Sequence, residues 1–419
     1  VIVPSIDVVA GRAVQLIGGE TEAVDGGDPS KWMERFRLVG EVAVVDIDAA
    51  RGDGENHEVI ARLCDMGRVR VGGGIRDVET ATGWLDRGAE KVVIGTAAEE
   101  DLLARLPRDR VIVALDARHG EVLTHGWRTA SGRGLLESIT RLRRLCGGFL
   151  VTFVEREGRL GGTDLEMAER VVTAADPVPV TIAGGISTAS EIAALDRLGA
   201  DAQVGMALYT GQIGLADAIT SPLRSDREDG LWPTVIVDES GTALGLAWSS
   251  RESIGEAVET RRGVYQSRSR GRWVKGETSG AVQELVAVDA DCDRDALRFT
   301  VRQVDGFCHR GTRSCWGDDR GISRLARRLL AIADAPVSGS NTARLLDDPT
   351  LLAGKLIEEA GELARAAEPG HIVEEIADLV YFALVKAASA GLDLEQVEEV
   401  LDRRERRVTR RPMSVRDPA

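Results

Sequence analysis

The sequence predicts a multidomain chain: an α/β (β/α)8 TIM barrel, then a small mixed β-rich domain, then an all-α domain. Three observations predict it. Short β-branched runs alternate with helical stretches eight times in the first ~220 residues. Part of that region recurs 111 positions later. The last ~80 residues are rich in Ala, Leu and Glu at helical spacing.

A length of 419 residues suits roughly two to four domains. "TSPLRSDREDG" (220–230) and "DAPVSGSNT" (334–342) are polar and turn-rich, so they read as boundaries. A net charge of −15 argues against a general nucleic-acid or anionic-membrane binder. No apolar run approaches the ~18 residues of a spanning helix. The opening "VIVPSIDVVAGRAVQ" lacks the layout of a signal peptide, so a cytoplasmic location is expected. The five cysteines, an odd count, do not suggest a disulfide framework.

The strand candidates are "VPSID" (3–7), "AVVDID" (43–48), "RVRVGGG" (68–74), "KVVIG" (91–95), "VIVALD" (111–116), "FLVTFV" (149–154), "VPVTIAGG" (178–185) and "ADAQVG" (200–205). Right-handed crossovers between parallel strands close such units into a barrel, with an open doubly wound sheet as runner-up. The repeat favours the barrel. Gly73, Gly74, Ile75, Gly88 and Ala89 all recur 111 positions on, and "IDVVAG" (6–11) parallels "LDARHG" (115–120). Two half-barrels of four units produce this pattern.

Active groups of such barrels sit at the C-terminal strand ends. Asp7 and Asp116 end the first and fifth candidates, and the repeat sets them on opposite sides of the mouth. Two facing carboxylates suit acid–base catalysis; two capping or solvated aspartates are the plainer alternative. The pairs Gly73–Gly74 and Gly184–Gly185, with "IGT" (94–96, holding Gly95 and Thr96) and "VGM" (204–206, holding Gly205), offer backbone amides to phosphate. The repeat doubles that site, so the ligand should carry a phosphate at each end. These runs, with "VVDIDAA", "ALDARHG", "HGW" and "AGGIS", resemble the phosphoribosylformimino-aminoimidazole carboxamide ribotide isomerases over residues 1–218. The resemblance implies an Amadori rearrangement of an aminoaldose to an aminoketose. Asp7 is then the general base and Asp116 the general acid, with Thr152 and Trp127 holding substrate. "TFVEREGR" (152–159) departs from the family pattern. Glu157 stands for the usual Asp and Arg159 for Thr, and Gln15 and Met206 stand where Arg is common.

"LVAVDADCDRDALRFTV" (285–301) reads as strand, acidic patch, strand. In an extended chain Asp289, Asp291, Asp293 and Asp295 face one side and Cys292 the other. An EF-hand is excluded, because its Gly and Glu positions hold Ala296 and Arg302, or Arg294 and Thr300. Asp291, Asp293 and Asp295 suit Mg2+. Cys292, Cys308 and Cys315, spaced C-x15-C-x6-C, suit Zn2+ with an open position, and His309 is the adjacent catalytic proton shuttle. "YQSRSRGRWVKGETSG" (265–280) adds Arg268, Arg270, Arg272 and Lys275 around Trp273, a set suited to a nucleotide phosphate and base. A solvated basic strand pair is the alternative. With "DCDxDAL" and "CHxGxxSC", residues 229–318 resemble phosphoribosyl-AMP cyclohydrolase. That implies opening of the adenine ring by zinc hydroxide, Mg2+ on the three aspartates, and zinc ligands shared between the chains of a homodimer.

"KLIEEAGELARAAE" (355–368) sets Glu358, Glu359 and Glu362 within one helical turn, and "VEEIADLVYFALVKAA" (373–388) sets Glu375 and Asp378 on one face. Such carboxylates on adjacent helices suit Mg2+ for a polyphosphate. Their neighbours Leu356, Ile357, Leu363, Ile376 and Leu379 suggest that they face inward. The segment resembles phosphoribosyl-ATP pyrophosphohydrolase. Together the resemblances imply domains at 1–220, 229–325 and 338–412 and a multifunctional histidine-biosynthesis enzyme acting on phosphoribosyl-ATP and phosphoribosyl-AMP. The alternative is a bifunctional enzyme on a catalytically inactive barrel scaffold.

Overall fold

The structure, a computed structural model, describes residues 1–124, 126–267, 269, 271–336 and 339–410. The chain divides into two compact units. The first holds 1–238, 245–305 and the chain after 405; the second holds 239–244 and 306–405.

Eight parallel strands form a closed ring in the first unit: β1 (Ile2–Val9), β2 (Val42–Asp46), β3 (Val69–Gly72), β4 (Lys91–Ile94), β5 (Val111–Arg118), β6 (Gly148–Phe153), β7 (Val180–Ala183) and β8 (Ala200–Val204). Closure is by β8 on β1, with Ile2 opposite Ala202. All eight match the sequence candidates. The strands are short and rich in Val and Ile, and β3 and β7 are buried at every residue, as parallel strands covered on both faces must be. Helix starts follow from local chemistry. The Asp77 carboxylate caps the helix after β3, and Thr188 with Glu191 forms a capping box after β7. Inside the barrel, Arg70 of β3 donates to the Thr181 hydroxyl of β7 at 2.9 Å, again across 111 positions.

The same repeat fixes two backbone turns. Gly73 and Gly74 have φ of 95° and 70°, and Gly184 and Gly185 have 100° and 80°. A Cβ on Gly73 would lie 2.1 Å from the Asp46 carbonyl oxygen, and one on Gly184 would lie 2.6 Å from that of Phe153. Only glycine meets both demands. Two hairpins carry no apolar alternation and escape a reading by periodicity. Arg12–Ile17 with Thr21–Gly27 follows β1, and Glu121–Thr124 with Thr129–Gly134 follows β5. Their outer strands are largely solvent-exposed, so no buried face imprints a period on the sequence.

A six-stranded sheet follows: β9 (Trp232–Val237), β10 (Ala243–Ser249), β11 (Val264–Ser267), β12 (Gly271–Val274), β13 (Gln283–Ala290) and β14 (Leu297–Gln303), in the order β12-β11-β10-β9-β14-β13. Tyr265 and Phe299, both fully buried, anchor its core. The second unit is helical beyond residue 320. Gly321–Asp334, Asn341–Asp347, Pro349–Arg365 and Pro369–Ser389 pack around Leu329, Leu345, Leu352, Phe382 and Val385. Among the described residues no helix is long and apolar enough to cross a membrane.

The turn after β3 yields a stability prediction. Gly73→Ala should destabilise the barrel in urea unfolding by at least about 2 kcal/mol. Gly52→Ala, at a φ of 82° with open space around it, should cost only about 1 kcal/mol.

Candidate active sites

Three clusters of acidic residues stand out among the described residues. At the barrel mouth, Asp7 lies on β1 and Asp116 on β5, where it pairs in register with Thr152 of β6. The Trp127 and Thr152 side chains hydrogen-bond Asp116. Glu157 joins them. The Gly18 N–H donates to the Glu157 carbonyl at 3.2 Å, and Gly158, at a φ of 71°, passes so close to Leu16 that a Cβ would lie 2.4 Å from its oxygen. The loop after β6 is thereby locked to the first hairpin. Burial pushes the Asp7 carboxyl up to about 7. Burial, and then the charges of Asp7 and Asp116, push Glu157 up to about 8. Burial also raises Asp116, against the hydrogen bonds from Trp127 and Thr152. Asp7 and Glu157 therefore exchange protons near neutral pH, and Asp116 is shifted the same way. Two buried polar atoms nearby lack a partner among the described residues: Gln15 Nε2 and the Tyr209 hydroxyl, whose phenol is raised by burial and by Asp7. The loop glycines differ in space. Gly95 has nothing within 4 Å of a Cβ position, whereas a Cβ on Gly205 would lie 2.4 Å from Gln15 Oε1. Thr96 follows Gly95 after β4, and Gly74, Gly184 and Gly185 follow β3 and β7.

The acidic run corrects one expectation. It is not an extended strand with two faces. β13 ends at Ala290, and the next residues turn back into β14. Asp289 stays on the strand and pairs with Arg298 across the ladder at 2.9 Å. Asp291 Oδ1 accepts the N–H groups of Asp295 at 3.0 Å and Ala296 at 3.1 Å, which closes the turn. Oxygens of Asp291, Asp293 and Asp295 lie within 4.8 Å of one another. Curvature, not alternation, gathers them. Cys292 is exposed on the same loop, its Sγ 4.0 Å from Asp293 Oδ1, rather than behind a strand. Asp295 is raised by its neighbours Asp291 and Asp293, the signature of crowded anions.

Cys308 and Cys315 belong to the second unit and Cys292 to the first. Cys308 is lowered by the Arg310 backbone N–H, the Thr312 side chain and Cys315, so the two thiols adjoin. His309 Nδ1 lies 3.9 Å from Cys308 Sγ. Two adjoining thiols, one with its pKa lowered, are a soft donor set suited to zinc. Trp273 on β12 faces Tyr265 with ring centroids 5.5 Å apart, Lys275 is buried, and Arg272 pairs with Glu256. Arg268 and Arg270 lie outside the described residues.

In the helical unit, oxygens of Glu359, Glu362 and Glu375 lie within 4.8 Å of one another. Glu359 and Glu375 are buried, and Glu375 Oε2 has no partner among the described residues. An orphaned buried acceptor among carboxylates fits a hard divalent cation. Glu358 and Asp378 are exposed and fall outside that group. The apolar neighbours do not mark the inner face uniformly: Ile357 is 76% exposed. Sequence reasoning missed Lys355, whose Nζ lies 2.9 Å from Glu359, and His371, whose Nε2 lies 2.8 Å from Glu375. Their i,i+4 spacing was the available signal.

Comparison with known proteins follows this division. Residues 1–214 match the family described as histidine biosynthesis protein, 245–317 match phosphoribosyl-AMP cyclohydrolase, and 322–405 match phosphoribosyl-ATP pyrophosphohydrolase. The chain is 38% identical over 343 residues to a histidine biosynthesis trifunctional protein of Neurospora crassa, covering 78% of this chain and 36% of the relative. It is 47% identical over 201 residues to a histidine biosynthesis bifunctional protein of Schizosaccharomyces pombe, covering 48% of each. It is 41% identical over 223 residues to an imidazole-4-carboxamide isomerase of Gemmatimonas aurantiaca, covering 50% of this chain and 93% of the relative. The chain thus spans 36% to 48% of the length of these two fungal relatives. A barrel whose two halves repeat, carrying paired acids at its mouth and matched along most of an isomerase, places this chain in the histidine biosynthesis protein family.

Proposed function

We propose that the chain is a multifunctional enzyme of histidine biosynthesis with domains at 1–220, 229–325 and 338–412. It hydrolyses phosphoribosyl-ATP to phosphoribosyl-AMP and pyrophosphate, opens the adenine ring, and isomerises the resulting aminoaldose to the aminoketose. The observation that carries this reading is that each of the three matched segments gathers its own ionisable cluster. The reading includes a homodimer in the cytoplasm, working on small phosphorylated molecules apart from nucleic acid and membrane.

In the barrel, the amides around Gly74, Gly95 and Thr96 bind one substrate phosphate and those around Gly184, Gly185 and Gly205 the other. That sets the aminoaldose between Asp7 and Asp116. Asp116, which burial biases toward its protonated form, donates a proton to the ring oxygen as the sugar opens. Asp7, near its midpoint at neutral pH, removes the proton from C2. The enolamine formed becomes the aminoketose. Thr152 and Trp127 hold Asp116 in place throughout.

In the middle domain, Cys292, Cys308 and Cys315 would hold Zn2+, which supplies a water of lowered pKa for the ring carbon. His309 passes protons, Trp273 and Lys275 with Arg268 and Arg270 receive base and phosphate, and Asp291, Asp293 and Asp295 hold Mg2+. In the helical domain, Glu359, Glu362 and Glu375 bind Mg2+ for the triphosphate, with Glu358 and Asp378 at its edge.

Purified phosphoribosyl-ATP, phosphoribosyl-AMP and the aminoaldose, supplied separately, test the reading by pyrophosphate release, ring opening and isomerisation. If the first two proceed and the aminoaldose persists, the barrel is a scaffold and the isomerase assignment fails. Asp7→Asn should slow isomerisation at least about 100-fold. The same variant has a stability signature. Asp7 ordinarily titrates near 4 but is raised to about 7 in the fold. The unfolded chain therefore releases its proton first, and stability falls as pH climbs from about 4 through 7. Asp7→Asn should flatten that decline in thermal melts between those pH values. Cys292→Ser should abolish ring opening and zinc content while sparing pyrophosphate release. Glu375→Gln should do the reverse, cutting pyrophosphate release about 100-fold or more. Loss of both activities in either variant, with the fold intact, would contradict separate sites.

A further inference from the structure

Arg294 stands in the sequence between Asp293 and Asp295, amid the carboxylates assigned to a divalent cation. A guanidinium there is a competitor: it binds carboxylates bidentately and would neutralise the cluster. The structure shows where it goes instead. At a φ of 69°, Arg294 departs from the ordinary path of the turn. Its Nε donates to Asp196 Oδ1 at 3.0 Å, and its Nη1 donates to the Asp291 carbonyl at 2.6 Å. Its own carbonyl accepts the Arg224 N–H at 2.8 Å. Among the described residues its ion pair is with Asp196, not with the loop.

Asp196 is a barrel residue, on helix Ala189–Leu198 ahead of β8. Its side chain is 7% exposed and that of Arg294 is 17% exposed, so the pair is largely withdrawn from water. Asp196 also lies 3.3 Å from the Val1 amino group and 3.9 Å from Arg224. Barrel helix and acidic loop meet within one compact unit, around a cavity of about 210 Å3 lined by Asp196, Asp201, Arg224, Cys292, Asp293 and Arg294. A largely desolvated guanidinium left without its anion is costly and seeks another. Here Arg294 Nη1 already lies 2.6 Å from the Asp291 carbonyl, beside the loop carboxylates, and Asp293 and Asp201 line the same cavity.

We propose that Asp196 is a positioning residue for the divalent-cation site on the acidic loop: it holds Arg294 off Asp291, Asp293 and Asp295 and leaves them to the metal. The barrel is then part of the neighbouring domain's metal site, whatever its own turnover. This inference rests on the reading of the loop as a cation site.

The test is Mn2+ binding to the full chain, followed by electron paramagnetic resonance, with Glu375→Gln in every variant to remove the helical cluster from the titration. Asp196→Asn should weaken Mn2+ binding about tenfold. Adding Arg294→Gln to Asp196→Asn should restore the parental affinity, because the competitor is gone. A merely structural clamp makes the opposite prediction, since removing both partners leaves the loop no better placed. Unchanged affinity in Asp196→Asn, or a double variant as weak as the single, overturns the inference while the cation site stands. If the parent binds no Mn2+ and Asp291→Asn changes nothing, the cation-site reading falls, and the inference with it.

Discussion

Mutual repulsion among closely packed carboxylates is the constraint on which the rest of this structure depends. The chain carries a net charge of −15 and draws its acids together at three places. Like charges a few ångströms apart in a water-poor setting cannot all stay ionised unless something compensates. Each site compensates differently, and the difference matches the chemistry assigned to it. At the barrel mouth the compensation is the proton itself, retained on Glu157 and half retained on Asp7 near neutral pH, with Asp116 raised in the same direction. That is the condition a proton-transfer site needs.

On the acidic loop the compensation is the backbone. Asp291 accepts two N–H groups from the turn, which leaves Asp293 and Asp295 outward and close. Between the helices it is a pair of partners at i,i+4 spacing, the Lys355 ammonium on Glu359 and the His371 ring on Glu375, with Glu375 Oε2 unpartnered among the described residues. Groups that only partly neutralise a carboxylate cluster leave room for a divalent ion. A cation fully engaged by the cluster would not, and the removal of Arg294 to Asp196 shows the same logic from the other side.

Symmetry supplies the frame for the first of these sites. The repeat at 111 positions puts the same glycine pair after β3 and β7, at similar φ, with a helix cap at Asp77 and again at Thr188. Two equivalent loops around one mouth are the frame on which the proposed doubly phosphorylated substrate depends. The chemistry between them is not symmetric. Asp116 is held by Trp127 and Thr152, while Asp7 faces the unpartnered Tyr209 hydroxyl, so one acid is braced and the other is less so. The proposed division into proton donor and acceptor draws on this inequality in a barrel whose backbone treats the two alike.

The sequence by itself determined the eight barrel strands, the twofold repeat, the helical C-terminal segment and the candidate acids from which packing selects. All of these are written in short-range periodicity and in residue types at fixed spacing. Four matters were decided only in three dimensions. Both barrel hairpins are exposed along their outer strands, so no period betrays them. The run around Cys292 alternates like a strand but must reverse direction between β13 and β14, and the needs of the turn's backbone override the pattern. Glu359 and Ile357 are neighbours in sequence, yet one is buried and the other bare, because two residues along a helix point to opposite sides. The partner of Arg294 lies 98 positions away on another fold, where no local spacing reaches. Residue spacing states which groups are available; packing decides which of them meet, because burial and chain reversal are set by the whole fold.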